Sequence, residues 1–170
     1  MELTSREFGG LVHGMVFGAL FLLAFAGGLA ELHLLRPTTE TPSGLRVSAR
    51  RIGLGVTSMA VLAWGAVITG TWVVYPGYRE QVPTSPRSVL LADPVTEAWH
   101  TFGMEWKEHV AWLSPMLATV VAFIVVYYGV ALARNDRLRR TAMTLFILAF
   151  ATAAVAGAFG ALITKVAPIQ

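Results

Sequence analysis

FGGLVHGMVFGALFLLAFAGGLAELHLL, residues 8–35, decides what kind of molecule this is. From Phe8 to Ala30 it carries no charged side chain. A helix crosses the hydrocarbon core of a bilayer on about 20 mostly apolar residues, so the stretch is long enough to span. Thr4 and Glu7 have capping-box spacing, which starts the helix within the first few residues, and Pro37 stops it. A cleaved signal peptide is the competing reading. Its flank, Met1 to Glu7, holds two glutamates against one arginine, where a signal peptide requires positive charge, and the apolar run is too long. The segment is therefore expected to persist as a helix.

Three similar stretches follow, at about residues 52–75, 110–133 and 141–166. Only 14% of the 170 residues are charged, against roughly 25% in an average soluble domain. The charges that remain crowd between the apolar runs, and the mean hydropathy is +0.62. The expectation is an all-α integral membrane protein, a single domain over residues 1–170, with four transmembrane helices in an up-down bundle. The net charge of +3 comes from arginine clusters between crossings, so it concerns membrane orientation rather than nucleic acid.

Orientation follows from lysine and arginine in the short loops. The first loop has Arg36, Arg46, Arg50 and Arg51, and the third has Arg134, Arg137, Arg139 and Arg140. The second, residues 76–109, has Arg79, Arg87 and Lys107 against Glu80, Asp93, Glu97, Glu105 and Glu108. Loops one and three are expected in the cytoplasm, and the second loop and both termini outside a bacterial inner membrane. Trp72, Tyr75, Tyr78, Trp99, Trp106 and Trp112 fall near the outer interface, where amphipathic rings prefer to lie.

Within the outer loop, Asp93-Pro94 reads as a cap followed by proline at the first helical position. Trp99, Phe102, Trp106, His109, Val110 and Leu113 then form a helical stripe. This predicts an amphipathic helix on the outer surface, either running into the third crossing or breaking at Ser114-Pro115. Acid and base groups from Trp106 to His109 are expected to be solvated.

With no cysteine, disulfides, cysteine-ligated iron–sulfur clusters and thioether-linked haem are excluded. The four histidines are where chemistry is sought. His13 and His33 lie on one helix twenty residues apart, roughly 30 Å, and cannot share a ligand. His100 and His109 fall on opposite faces of one helix unless it breaks at Gly103. His13 and His109 both lie in the outer half, and two facing imidazoles are what a six-coordinate b-type haem requires. Small residues, Gly10 on the face of His13 together with Phe17 and Gly157 at about the same depth of the fourth crossing, would leave room for the porphyrin, and Gly14 is grouped with them as a candidate. Gly10, Gly14 and Gly18 also have the spacing of close helix–helix packing with nothing between. His100, Met104 and Glu108 follow i, i+4, i+8 spacing, and imidazole with thioether suits copper. No phosphate-binding loop, dinucleotide fingerprint or metalloprotease motif is present, no crossing has the polar lining of a conducting path, and no nucleophile has a base at helical spacing.

A histidine near the outer end of helix 1 (His13) and another near the start of helix 3 (His109) resemble the b-type cytochrome subunits of respiratory complexes, small bacterial four-helix membrane proteins. The resemblance covers the four crossings and those two residues. It implies one haem near the outer face, held by His13 and His109, exchanging electrons with a periplasmic carrier or quinone. Two-haem relays need a second pair at the inner end, where only His33 stands. The expected function is a one-haem electron-transfer subunit without a catalytic residue of its own, working with other membrane subunits. The alternatives are a cofactor-free accessory or assembly subunit and a copper-handling protein using His100 and Met104. Whether His100 or His109 is the second haem ligand stays open at this point.

Overall fold

The computed structural model describes residues 3–36 and 41–168. Pro37, read above as the stop of the first helix, lies outside the described residues, as do Met1 and Glu2. The described residues are helical throughout, joined by short turns and without a strand. Four helices are long and apolar enough to cross a membrane: α1 (Ser5–Leu34), α2 (Pro42–Tyr78), α4 (Trp99–Tyr128) and α6 (Asp136–Val166). Two short ones, α3 (Pro86–Ala92) and α5 (Val130–Arg134), sit between them.

The caps explain where these helices begin. Thr4 accepts from the Glu7 amide at 3.2 Å while Glu7 accepts from the Thr4 amide at 2.8 Å, the reciprocal box expected ahead of α1. α2 starts at Pro42, well before the apolar run at Ile52, because Thr41 accepts from the Gly44 amide and Pro42 fills a first-turn position. It also continues beyond residue 75, where the apolar run ends, through Pro76-Gly77, since Pro76 falls in the first turn of a short α-segment that needs no donor there. Asn135 caps α6 through the Leu138 amide at 3.0 Å, ahead of the apolar run that begins at Thr141.

The surface helix of the second loop is not a separate element. It is the beginning of α4, interrupted only by a turn at Ala111–Trp112, and Pro115 is accommodated in the first turn after it. Asp93 accepts from the Val95 amide at 2.8 Å within a turn ahead of α4, so Pro94 lies in that turn and not at a first helical position, and no side chain caps Trp99. α4 ends at Gly129, whose φ of 47° is the left-handed conformation a glycine adopts at little cost. The third crossing therefore stops short of Ala133, which belongs to α5.

α4 packs on both α2 and α6, and α1 packs on the same two helices. The main core lies among them and includes Phe21, Leu32, Val56, Met59, Val121, Val125 and Phe146. Phe25 sits between Phe146 and Phe150, 5.0 and 4.1 Å away between ring centres. A smaller cluster of Tyr78, Leu90, Met104, Ile163 and Ala167 closes the aromatic end. There Arg6 pairs with Glu80 and Arg79 with Glu105 at 3.6 Å, tying the start of α1 and of α4 to the end of α2. At the arginine end Glu31 of α1 meets Arg51 of α2 at 3.0 Å.

Candidate functional site

Near the aromatic end, three of the long helices leave the α-helical hydrogen-bond pattern. Residues Val12–Gly18, Gly70–Val74 and Trp99–Met104 are π-helical, with Ala19 bonding back to Gly14, Tyr75 to Gly70 and Glu105 to His100. π-turns insert an extra residue per turn, and they concentrate at functional sites. The first contains His13 and the third contains His100 and Met104. The second contains Gly70, which lies directly against the His13 ring.

His13 is a knob in a hole. A Cβ on Gly70 would lie 2.7 Å from Cε1 of the imidazole, so only glycine fits there. The contact repeats on either side: a Cβ on Gly9 would meet Val73 at 2.5 Å, and one on Gly65 would meet the Phe17 ring at 2.6 Å. Phe17, expected beside a porphyrin, is thus packed into α2. Nδ1 of His13 lies 2.7 Å from the carbonyl oxygen of Ala66, with the Thr69 hydroxyl at 3.5 Å. A carbonyl only accepts, so Nδ1 carries the proton and Nε2 of the neutral ring keeps its lone pair.

His109 repeats that bond within α4, its Nδ1 lying 2.7 Å from the Glu105 carbonyl oxygen on an exposed ring. His100 differs. It is 6% exposed, and both nitrogens are engaged. The Arg87 Nε–H donates to its Nε2 at 3.4 Å, so Nδ1 holds the proton and donates to the Tyr78 hydroxyl oxygen at 2.8 Å. The histidine that sequence reasoning left as a possible second ligand is committed to a tyrosine and an arginine. Met104, its proposed copper partner, is packed with Leu90 and Ile163 in the apolar cluster at that end. Among the described residues no group of three or more histidine or acidic side chains is placed to hold a metal ion.

Sequence reasoning missed the acid and base beside His109. Glu108 is not solvated: one carboxylate oxygen accepts from the Tyr75 hydroxyl at 2.6 Å, and the other is buried with no hydrogen-bond partner. The Lys107 ammonium sits where a Cβ on Gly160 of α6 would be, 2.9 Å away, and lies within electrostatic reach of His13 and Glu108. Lys107, Tyr78, Met104 and Thr164 help line a cavity of about 40 Å³ at this end, room for a water molecule or so. The signal that could have found this cluster is the pairing of Tyr75 and Tyr78, one turn apart on α2. Their rings stack 6.2 Å apart and reach Glu108 and His100 respectively.

The glycines of the sequence stripe have a different fate from those of the interlock. A Cβ on Gly10, Gly14 or Gly157 would meet nothing within 4 Å, and Gly14 and Gly157 are exposed. Their spacing brings no neighbouring helix of this chain close.

Among the described residues Nε2 of His13 and of His109 makes no hydrogen bond, and a partly buried ammonium and carboxylate stand at the same end. No family model, curated protein or solved structure matches this chain.

Proposed function

We propose that the chain is a membrane-embedded electron-transfer subunit that binds one b-type haem through His13 and His109. The observation that carries the reading is the shared hydrogen bond of these two rings. Each gives its Nδ1 proton to a backbone carbonyl, Ala66 for one and Glu105 for the other. Iron-ligating histidines are held this way, because the bond fixes the tautomer and orients Nε2 toward the metal. His100 has no nitrogen left, which favours His109 as the second ligand. The donor set fits haem chemistry, and a Cβ at Gly10, Gly14 or Gly157 would meet no neighbour, which leaves space at each of those positions. Bound haem would supply one-electron chemistry; the protein would supply two imidazoles and the low dielectric around them.

The test is a reduced-minus-oxidised absorption spectrum of the purified protein with His13→Ala, His109→Ala and, as a control at the other end, His33→Ala. A b-type spectrum in the parent and in His33→Ala, lost or shifted in the other two, is the expected result. A featureless parent after expression with ample haem ends the proposal.

A second reading, a cofactor-free subunit of a larger membrane complex, is favoured by the same open glycines. Within the most apolar part of α1 only 11% is buried, and small residues facing lipid invite a partner helix. Gly14→Leu would then abolish co-purification of partner subunits while His13→Ala left it intact.

In both readings the four long helices form an up-down bundle across the bacterial inner membrane, with the arginine end in the cytoplasm. The distribution of lysine and arginine supports this orientation. Because the chain lacks cysteine, single cysteines report position cleanly. In intact spheroplasts, Thr84→Cys should react with a membrane-impermeant maleimide and Ser43→Cys should react only after lysis. The reverse pattern would invert the topology.

A further inference from the structure

A cavity lies on the first turns of α6, at the arginine end of the molecule. It is a groove of about 530 Å³ lined by Asp136, Arg137, Arg140, Thr141, Thr144 and Leu145. We propose that this groove holds the phosphate headgroup of an anionic phospholipid in the leaflet at the arginine end.

Two arginines and two threonines line it. Arg137 and Arg140 are exposed, and neither has an ion-pair partner among the described residues. Arg139, between them, is buried and bonded to the carbonyl oxygens of Leu35 and Ala133 and to Asp136. The one acid on the groove is therefore already paired with a cation, and the groove is left with a net positive lining.

The two threonine hydroxyls also have no partner among the described residues. Thr57, Thr69, Thr119 and Thr152 each donate to a carbonyl oxygen one turn back. Thr141 and Thr144 make no such bond among the described residues, so both hydroxyls can donate into the groove. Arginine forks match phosphate oxygens two at a time, and serine or threonine hydroxyls complete the remaining acceptors.

Depth selects a lipid over a soluble anion. From Arg137 to Leu145 the helix rises about 12 Å, the distance from the headgroup layer into the acyl region. Charge comes first along that rise, then hydroxyl, then the apolar wall of Leu145, which is the order of polarity in a phospholipid entering a leaflet. Basic pockets beside membrane helices on the cytoplasmic side bind such headgroups.

The experiment is native mass spectrometry of the full chain in a mixture of phosphatidylglycerol and phosphatidylcholine. The parent should retain phosphatidylglycerol several-fold over phosphatidylcholine. Arg137→Gln/Arg140→Gln should lose that preference, and Thr141→Val/Thr144→Val should weaken it. Arg46→Gln/Arg50→Gln, which removes two arginines of the first loop, should keep it. Equal preference in the parent and the Arg137→Gln/Arg140→Gln variant overturns the site. Displacement of the lipid by millimolar inorganic phosphate overturns the lipid assignment in favour of a soluble anion. Thermal unfolding of each variant at the parent's midpoint shows that any loss is of binding and not of fold.

Discussion

Gly65→Leu should lower the stability of the detergent-solubilised chain by about 3 kcal/mol, the upper range for overpacking a close contact. Even the first added carbon is too near: a Cβ on Gly65 would lie 2.6, 2.7 and 3.0 Å from Cδ1, Cε1 and Cγ of Phe17. These atoms belong to the body of a ring, not to the end of a flexible chain, so relief requires α1 to move away from α2. The ring cannot swing aside alone, because the His13–Gly70 and Val73–Gly9 contacts above it hold the two helices at the same spacing. Gly14→Ala should behave oppositely. Its Cβ meets nothing, and alanine in place of glycine inside a helix is worth roughly 0.5–1 kcal/mol. Denaturation midpoints of the two variants beside the parent decide the matter. A neutral Gly65→Leu would mean that α1 is not seated on α2 as described.

That contrast also marks what could and could not be read from the residues. Lipid demands about 20 apolar residues from any helix that crosses it, so the four crossings are legible in the sequence from hydropathy alone. Their ends are less so, because a helix continues into polar residues wherever a cap allows. Thr41 and Asn135 are such caps, yet they lie outside the apolar runs that draw attention. The glycine stripe misleads for a related reason. Spacing within one helix locates a smooth face, whereas close approach requires a large residue opposite the glycine, as Phe17 is opposite Gly65. The π-turns leave no trace in composition, since each inserts a single residue into a long apolar run whose periodicity is already weak. Lys107 and Glu108 look like ordinary loop charges, and only the packing of α4 against Gly160 and Tyr75 takes them from solvent. His13 stands out in the sequence because an ionisable group at depth is costly wherever it occurs.

Arg139→Leu should have the largest single effect in the molecule, a loss of about 3–5 kcal/mol, because two buried carbonyl acceptors lose their donor at roughly 1–3 kcal/mol each. The arginine is 4% exposed, and one of its nitrogens donates to the carbonyl oxygens of Leu35 at 3.3 Å and Ala133 at 3.2 Å. Those carbonyls belong to the C-terminal end of α1 and to α5 just past α4, where helix carbonyls have no intrahelical donor. One side chain on α6 thus satisfies orphan acceptors from two other parts of the chain. Leucine would fill much of the space and leave both acceptors buried without donors, each a penalty of roughly 1–3 kcal/mol. Arg139→Lys should recover only part of the loss, because a single ammonium lacks the planar fork that serves carbonyls on one side and Asp136 on the other. Asp136→Asn should be mild, about 1 kcal/mol or less, since that carboxylate side chain is 68% exposed and water can take its place. Unfolding midpoints should therefore rank Arg139→Leu below Arg139→Lys, and Arg139→Lys below Asp136→Asn. Were Asp136→Asn as damaging as Arg139→Leu, the stabilisation would reside in the ion pair and not in the carbonyls it shares.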